Sequence, residues 1–130
     1  IALTTDGCYA YVTNFGSNDF SPYGTTVSVV DLRKRRIIKN IEVGIQPSGI
    51  AVSKDFVYVS NYNTLYAIPN FQSLTAGEGT VNIISIKDNV VVGPTISVGQ
   101  SPSTITLSPD GTKLYVCKYI QNTIAAICLE

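Results

Sequence analysis

Residues able to supply a base, a nucleophile, a metal ligand or a phosphate cradle are sparse in these 130 positions. There is no His, which removes the commonest general base and metal ligand. Serine hydrolase chemistry needs a base beside its nucleophile, and no G-x-S-x-G elbow is present. Gly77-Glu78-Gly79 is too short for a dinucleotide fingerprint, and no G-K-[ST] run occurs to cradle a phosphate. Asn18-Asp19 offers oxygens to calcium, but that ion takes about six or more ligands, and a solvated loop is the plainer reading. Cys8, Cys117 and Cys128 are odd in number and widely scattered, with no C-x-x-C pair for zinc. They read as small buried or half-buried hydrophobes on strands; a bond between Cys117 and Cys128, and with it the redox compartment, stays open. No catalytic residue, metal site or cofactor is expected.

Recognition chemistry is better represented. Phe15, Asp19, Phe20 and Tyr23 cluster in one stretch, Phe15–Gly24, and Tyr62, Tyr66 and Phe71 in another, Tyr62–Gly79. Together they hold half of the aromatic residues, which number 8 Tyr and 4 Phe. Aromatic rings mixed with Asn, Ser and Gly bring large contact area at little entropic cost, as binding surfaces require. The alternative is that the rings merely pack each loop onto the body beneath it.

What must position these stretches is a repeated unit. Ile41-Glu42-Val43-Gly44-Ile45-Gln46-Pro47-Ser48-Gly49-Ile50 lies over Ile96-Ser97-Val98-Gly99-Gln100-Ser101-Pro102-Ser103-Thr104-Ile105 without a gap, as I-x-V-G-x-x-P-S-x-I. Downstream, Ile50-Ala51-Val52-Ser53 matches Ile105-Thr106-Leu107-Ser108, and Ile1-Ala2-Leu3-Thr4 is a third copy. Turn signals come next: Asp6-Gly7, Asp110-Gly111 and a shortened Lys54-Asp55-Phe56, whose turn must differ. Then stand Tyr11-Val12-Thr13-Asn14, Tyr58-Val59-Ser60-Asn61 and Tyr115-Val116-Cys117-Lys118. After them come Val27-Ser28-Val29-Val30, Val81-Asn82-Ile83-Ile84 and Ile124-Ala125-Ala126-Ile127. Short runs rich in Val, Ile, Thr and Tyr, punctuated by Gly, Pro, Asn and Asp, are antiparallel strands joined by hairpins. Helical periodicity is absent. Four strands recurring every ~40–55 residues predict an all-β fold of β-propeller blades, rather than a sandwich.

Tyr11-Val12-Thr13-Asn14 followed by Thr26-Val27-Ser28-Val29-Val30-Asp31 resembles the YVTN-type β-propeller repeat, and the resemblance recurs three times along the chain. Ser60 and Cys117 replace the motif's Thr, and Lys118 its Asn. The expected blades are 1–46, 47–101 and 102–130, the last lacking its outer strand, so eleven strands make an incomplete propeller. Relatives of this type are typically seven-bladed. An arc without a closing strand leaves apolar flanks and an unpaired edge, stable only beside further blades or partner chains.

Composition bounds the partners. A chain with 45% hydrophobic residues builds a core, and nine basic against nine acidic residues leave no electrostatic footprint for nucleic acid. No apolar run approaches the ~18 residues of a membrane helix, and none of these residues is expected to be a signal peptide. A start at Ile1 in a chain without Met is expected of a processed or excerpted one. Blade topology puts both long connections on the end that carries the crossovers Gly44–Pro47 and Gly99–Pro102, and Arg33-Lys34-Arg35-Arg36 on the other. The expected function is a non-catalytic scaffold or binding module with protein partners or further blades. The resemblance implies a place in a larger surface or extracytoplasmic protein. The alternative is a fragment of a propeller enzyme, lactonase-like or reductase-like, with its catalytic residues in other blades.

Overall fold

The β-branched and aromatic runs of this chain fit a pleated surface, and strands are what they form. The computed structural model describes residues 1–16, 23–66 and 74–129, with 64–66 and 74–76 in backbone alone. Every regular element among them is a strand: β1 (Ala2–Leu3), β2 (Tyr9–Gly16), β3 (Tyr23–Asp31), β4 (Arg36–Glu42), β5 (Pro47–Val52), β6 (Phe56–Asn61), β7 (Thr64–Tyr66), β8 (Leu74–Ala76), β9 (Glu78–Ser85), β10 (Val90–Gln100), β11 (Pro102–Leu107), β12 (Lys113–Lys118) and β13 (Thr123–Cys128). The strands assemble into antiparallel meanders ordered β1-β2-β3-β4, β5-β6-β9-β10 and β11-β12-β13. The fold is all-β, a partial propeller of blade-like sheets.

Two features depart from the expected eleven strands. β7 and β8 pair with each other as a separate hairpin inside the Tyr62–Gly79 connection, which reads as a loop in the sequence. Runs of three residues are too short to show a two-residue period, so the sequence hides them. Likewise β2 and β3 continue past the expected loop boundary, with Gly16 opposite Tyr23 beyond an irregularity after Asn14. Phe15 and Tyr23 therefore sit on strand ends.

The hairpin turns follow the local chemistry. Gly7 and Gly111 take φ of 69° and 72° after Asp6 and Asp110, the left-handed conformation a tight turn requires. The second sheet lacks that glycine and closes differently: Ser53 N–H donates to the Phe56 carbonyl at 2.8 Å, and the Ser53 hydroxyl accepts from Phe56 N–H at 3.1 Å.

The core lies in two seams between consecutive sheets. Alternation along each strand gives every sheet two apolar faces. In the first seam Tyr11, Val27, Val29 and Ile41 of the first sheet bury against Val57, Val59 and Ile84 of the second. In the second seam Tyr58, Val81 and Val98 of the second sheet bury against Ile105, Leu114 and Val116 of the third. Polar atoms stitch the same seams. Thr13 Oγ1 donates to the Ser48 carbonyl at 3.2 Å, Ser60 Oγ to the Ser103 carbonyl at 3.2 Å, and the Tyr11 hydroxyl to Asn89 Oδ1 at 2.5 Å. Burial raises the Tyr11 phenol above its usual range, with a smaller contribution from Tyr9.

Candidate functional site

One end of the arc gathers the features that the sequence marks as recognition chemistry. The connections leaving β2, β6 and β12 reach this end, where the crossovers between sheets also pass. Backbone hydrogen bonds lock them together: Gln46 N–H donates to the Gly24 carbonyl at 2.8 Å, Tyr62 N–H to the Gln46 carbonyl at 2.9 Å, and Tyr119 N–H to the Ser101 carbonyl at 3.0 Å. Gln46 and Ser101 occupy equivalent places in the two crossovers, each with φ of 54°. Both are fully buried, and a buried proline, Pro47 or Pro102, follows each.

Beneath this end lies a polar ladder built from the last residue of the Y-V-T-N run. Asn14 Nδ2 donates to Thr26 Oγ1 at 2.9 Å and to Ser28 Oγ at 2.8 Å, and Ser28 Oγ donates to Asn40 Oδ1 at 2.7 Å. In the second sheet Asn61 Nδ2 donates to Thr80 Oγ1 at 3.0 Å and to Asn82 Oδ1 at 2.8 Å, while Gly44 N–H donates to Asn82 Oδ1 at 3.0 Å. A Cβ on Gly44 would come within 2.6 Å of the Asn61 amide carbon, which is why the I-x-V-G run ends in glycine. In the third sheet Lys118 and Ala125 take the places of these Asn and Ser residues, and the ladder is missing there. The amide nitrogens and hydroxyls of the motif are thus committed to joining strands, whereas Asn61 Oδ1 is buried without a hydrogen-bond partner among the described residues.

Among the described residues, the structure brings together one pair of the sequence-selected aromatics. The rings of Phe15 and Tyr62 meet with centroids 6.2 Å apart and planes tilted by 59°, a favourable aromatic geometry that links the connections of two neighbouring sheets. Tyr23 is half-buried opposite Gly16, and Tyr66 falls on β7. Asp19, Phe20 and Phe71 lie outside the described residues, as does the calcium candidate Asn18-Asp19. Two residues that composition does not flag belong to the same end. Tyr119 and Ile120 occupy the turn between β12 and β13 and are 72% and 52% exposed. Their signal is positional: an apolar pair in the short turn equivalent to the two long connections.

The opposite end is built of turns. The Asp110 carboxylate accepts the Ser108 hydroxyl at 2.5 Å, Thr112 N–H at 3.1 Å and the Thr112 hydroxyl at 2.9 Å. Those bonds, the Ser108 hydroxyl foremost, lower its pKa to about 2. Asp6 is lowered by the equivalent Thr4 hydroxyl and by Cys8 N–H. Asp31 Oδ1 accepts from Arg33 and Lys34 N–H at 3.0 and 2.9 Å, and the side chains of Arg33, Lys34, Arg35 and Arg36 are exposed. Cys8, Cys117 and Cys128 are free thiols, and against the expected burial on strands Cys117 and Cys128 are exposed, while half-buried Cys8 sits in the turn between β1 and β2. The register sets Cys128 opposite Lys113 and Cys117 opposite Ile124, four residues along β12, about 13 Å at the strand rise and too far for a bond. Among the described residues no group of three or more His, Cys, Asp or Glu gathers into a metal-binding cluster.

No family model matches the chain. Over 122 residues it is 31% identical to the seven-bladed beta-propeller protein Rv1057 of Mycobacterium tuberculosis, an alignment covering 92% of this chain and 26% of that protein. Among solved structures, hydrazine synthase of Kuenenia stuttgartiensis superimposes on 98% of this chain and 31% of its own, with a TM-score of 0.73 and 26% identity. The chain spans between a quarter and a third of the length of these proteins, 26% and 31%.

Proposed function

We propose that this chain is a non-catalytic segment of a β-propeller, a scaffold that presents the end carrying Phe15, Tyr62 and Tyr119 to a protein partner. The Phe15–Tyr62 contact carries the reading, because it joins the lengthened connections of two neighbouring sheets into one aromatic surface. Aromatic anchors of this kind contribute on the order of 2 kcal/mol each when a partner buries them. The Asn14 and Asn61 ladders support the reading, since they make the platform beneath the surface rigid. The parent is a seven-bladed propeller of the YVTN type, placed in a larger surface or extracytoplasmic protein. A photo-crosslinking residue at Tyr62 or Tyr119 is expected to attach to a single protein in extracts of the source cells, and one at Arg35 is not. Adducts from Arg35 alone, or from no position, would overturn it.

A second reading has one observation in its favour, the superposition on hydrazine synthase with a TM-score of 0.73. Under it the chain is a structural part of a propeller enzyme whose reacting groups lie in other blades. Turnover by the whole source protein that is unchanged by Tyr62→Ala and Tyr119→Ala would favour this reading.

A further inference from the structure

Three hairpins of this chain turn through loops of the same build, and one departs from the residue rule that the others keep. Residues 32–35 join β3 to β4, 86–89 join β9 to β10, and 119–122 join β12 to β13. The last residue of each loop is left-handed, with φ of 54°, 54° and 48°. Asn89 and Asn122 hold that place in two of them, where a short polar side chain fits; the third holds Arg35. It belongs to a run of four cations, Arg33, Lys34, Arg35 and Arg36. Elsewhere in the chain five basic residues stand against nine acidic ones, so a net charge of zero conceals one cationic pole. Two carboxylates lie close to it. Asp31 caps the turn by accepting from Arg33 and Lys34 N–H, and Asp6, across the adjoining hollow, accepts from the Thr4 hydroxyl and Cys8 N–H. Among the described residues no ion pair holds any of the four cationic side chains. All four are exposed, and their place in the sheet is the reason. Lys87 and Asp88, the counterparts of Arg33 and Lys34 in the middle sheet, are exposed as well, although that sheet is packed on both faces.

We infer that the tip formed by Arg33, Lys34, Arg35 and Arg36 docks on an anionic lipid surface. An arginine kept in a strained conformation, where its sister turns use asparagine, is accounted for by what its side chain meets outside the chain. Guanidinium groups match phosphate oxygens with two parallel hydrogen bonds, and the Asp31 cap fixes the backbone from which they project. The occupant follows from the arrangement. Cations grouped on a hairpin tip meet several phosphates at once where lipids diffuse to them, whereas a rigid nucleic-acid strand has to match their spacing. Docking by this tip leaves Phe15, Tyr62 and Tyr119 at the end away from the lipid, so the inference is independent of the aromatic surface.

Vesicle sedimentation with the full-length source protein tests it. The protein should sediment with phosphatidylglycerol vesicles at low salt, be released as ionic strength rises, and ignore phosphatidylcholine vesicles. A basic side chain near an anionic surface contributes about fivefold in partitioning, so Arg33→Gln, Lys34→Gln, Arg35→Gln and Arg36→Gln together should weaken binding by roughly several hundredfold. Lys118→Gln, which removes a cation at the opposite end, should leave binding unchanged. Arg35→Asn alone gives the turn the residue of its sisters. It should raise the melting temperature while weakening vesicle binding by about fivefold, and it carries the test if the fourfold variant fails to fold. Binding that is equal on neutral vesicles, that survives the fourfold change, or that Arg35→Asn leaves intact would overturn the inference. So would retention by soluble heparin with none by vesicles, which would make the partner a polyanion in solution.

Discussion

Two kinds of side chain do most of the specifying at the scale of the residue: small ones that let backbone approach, and hydroxyl or amide groups that bridge strands. Gly49 illustrates the first. A Cβ there would stand 2.4 Å from the Ser103 carbonyl oxygen of the next sheet, so the seam closes only over glycine at that point. Asp110 illustrates the second, and it carries a pH signature. Its carboxyl is held at about 2 in the folded chain, against an ordinary 3.8, by hydrogen bonds from Ser108 and Thr112. The folded state therefore binds the proton less readily than the unfolded one. The stabilisation is fully present above pH 3.8 and is lost as pH falls toward about 2. Asp110→Asn keeps an acceptor but removes the titration. The variant is expected to be less stable than the parent at neutral pH, with urea midpoints converging as pH falls through that window.

Strands and turns are the scale at which the repeat is most legible. The P-S-x-I, Y-V-T-N and I-x-V-G runs each mark one strand or one crossover, and the observed register follows their spacing. The hairpin of β7 and β8 is the exception, and it stands apart: among the described residues its strands pair with each other and form their own two-stranded sheet. Gly77 N–H donates to the Asn63 carbonyl at 3.0 Å, so the hairpin is closed at its base, and Asn61 and Thr80 below it remain paired without it. Replacing residues 64–76 by Asn-Gly should leave the seams intact, since shortening a flexible connection changes closure entropy by only about 0.6 kcal/mol per halving. A melting temperature within a few degrees of the parent is the expected result. A large drop would show that the hairpin supports the sheet beneath it.

At the scale of the whole molecule, stability is a nearest-neighbour property. The middle sheet is covered on both faces, by Tyr11, Val27 and Val29 on one side and by Leu114 and Val116 on the other. Among the described residues the third sheet is covered on one face, and β13 pairs on one edge, with β12. Local opening follows such asymmetry, because exchange is fast where few apolar contacts hold a hydrogen bond. Hydrogen exchange of this chain is expected to rank β6 and β9 as the slowest strands and β13 as the fastest. Protection of β13 equal to that of β9 would contradict this order.

The repeat itself was enough to specify the strands of the three meanders, though not the hairpin of β7 and β8, because strand-type runs and a handful of turn residues act locally. Even the placement of the aromatic stretches at the crossover end is readable, since it follows from counting strands in a meander. Other facts needed the folded chain. The meeting of Phe15 with Tyr62 joins residues 47 positions apart, and the bond from Tyr11 to Asn89 spans 78; no local pattern encodes either. Tyr119 and Ile120 look like any short turn until the sheets set them beside two longer ones. Cys117 and Cys128 are close in sequence yet stand apart once the register of β12 and β13 is set. In each case the deciding quantity is a distance between segments, which is fixed by how one sheet packs on the next.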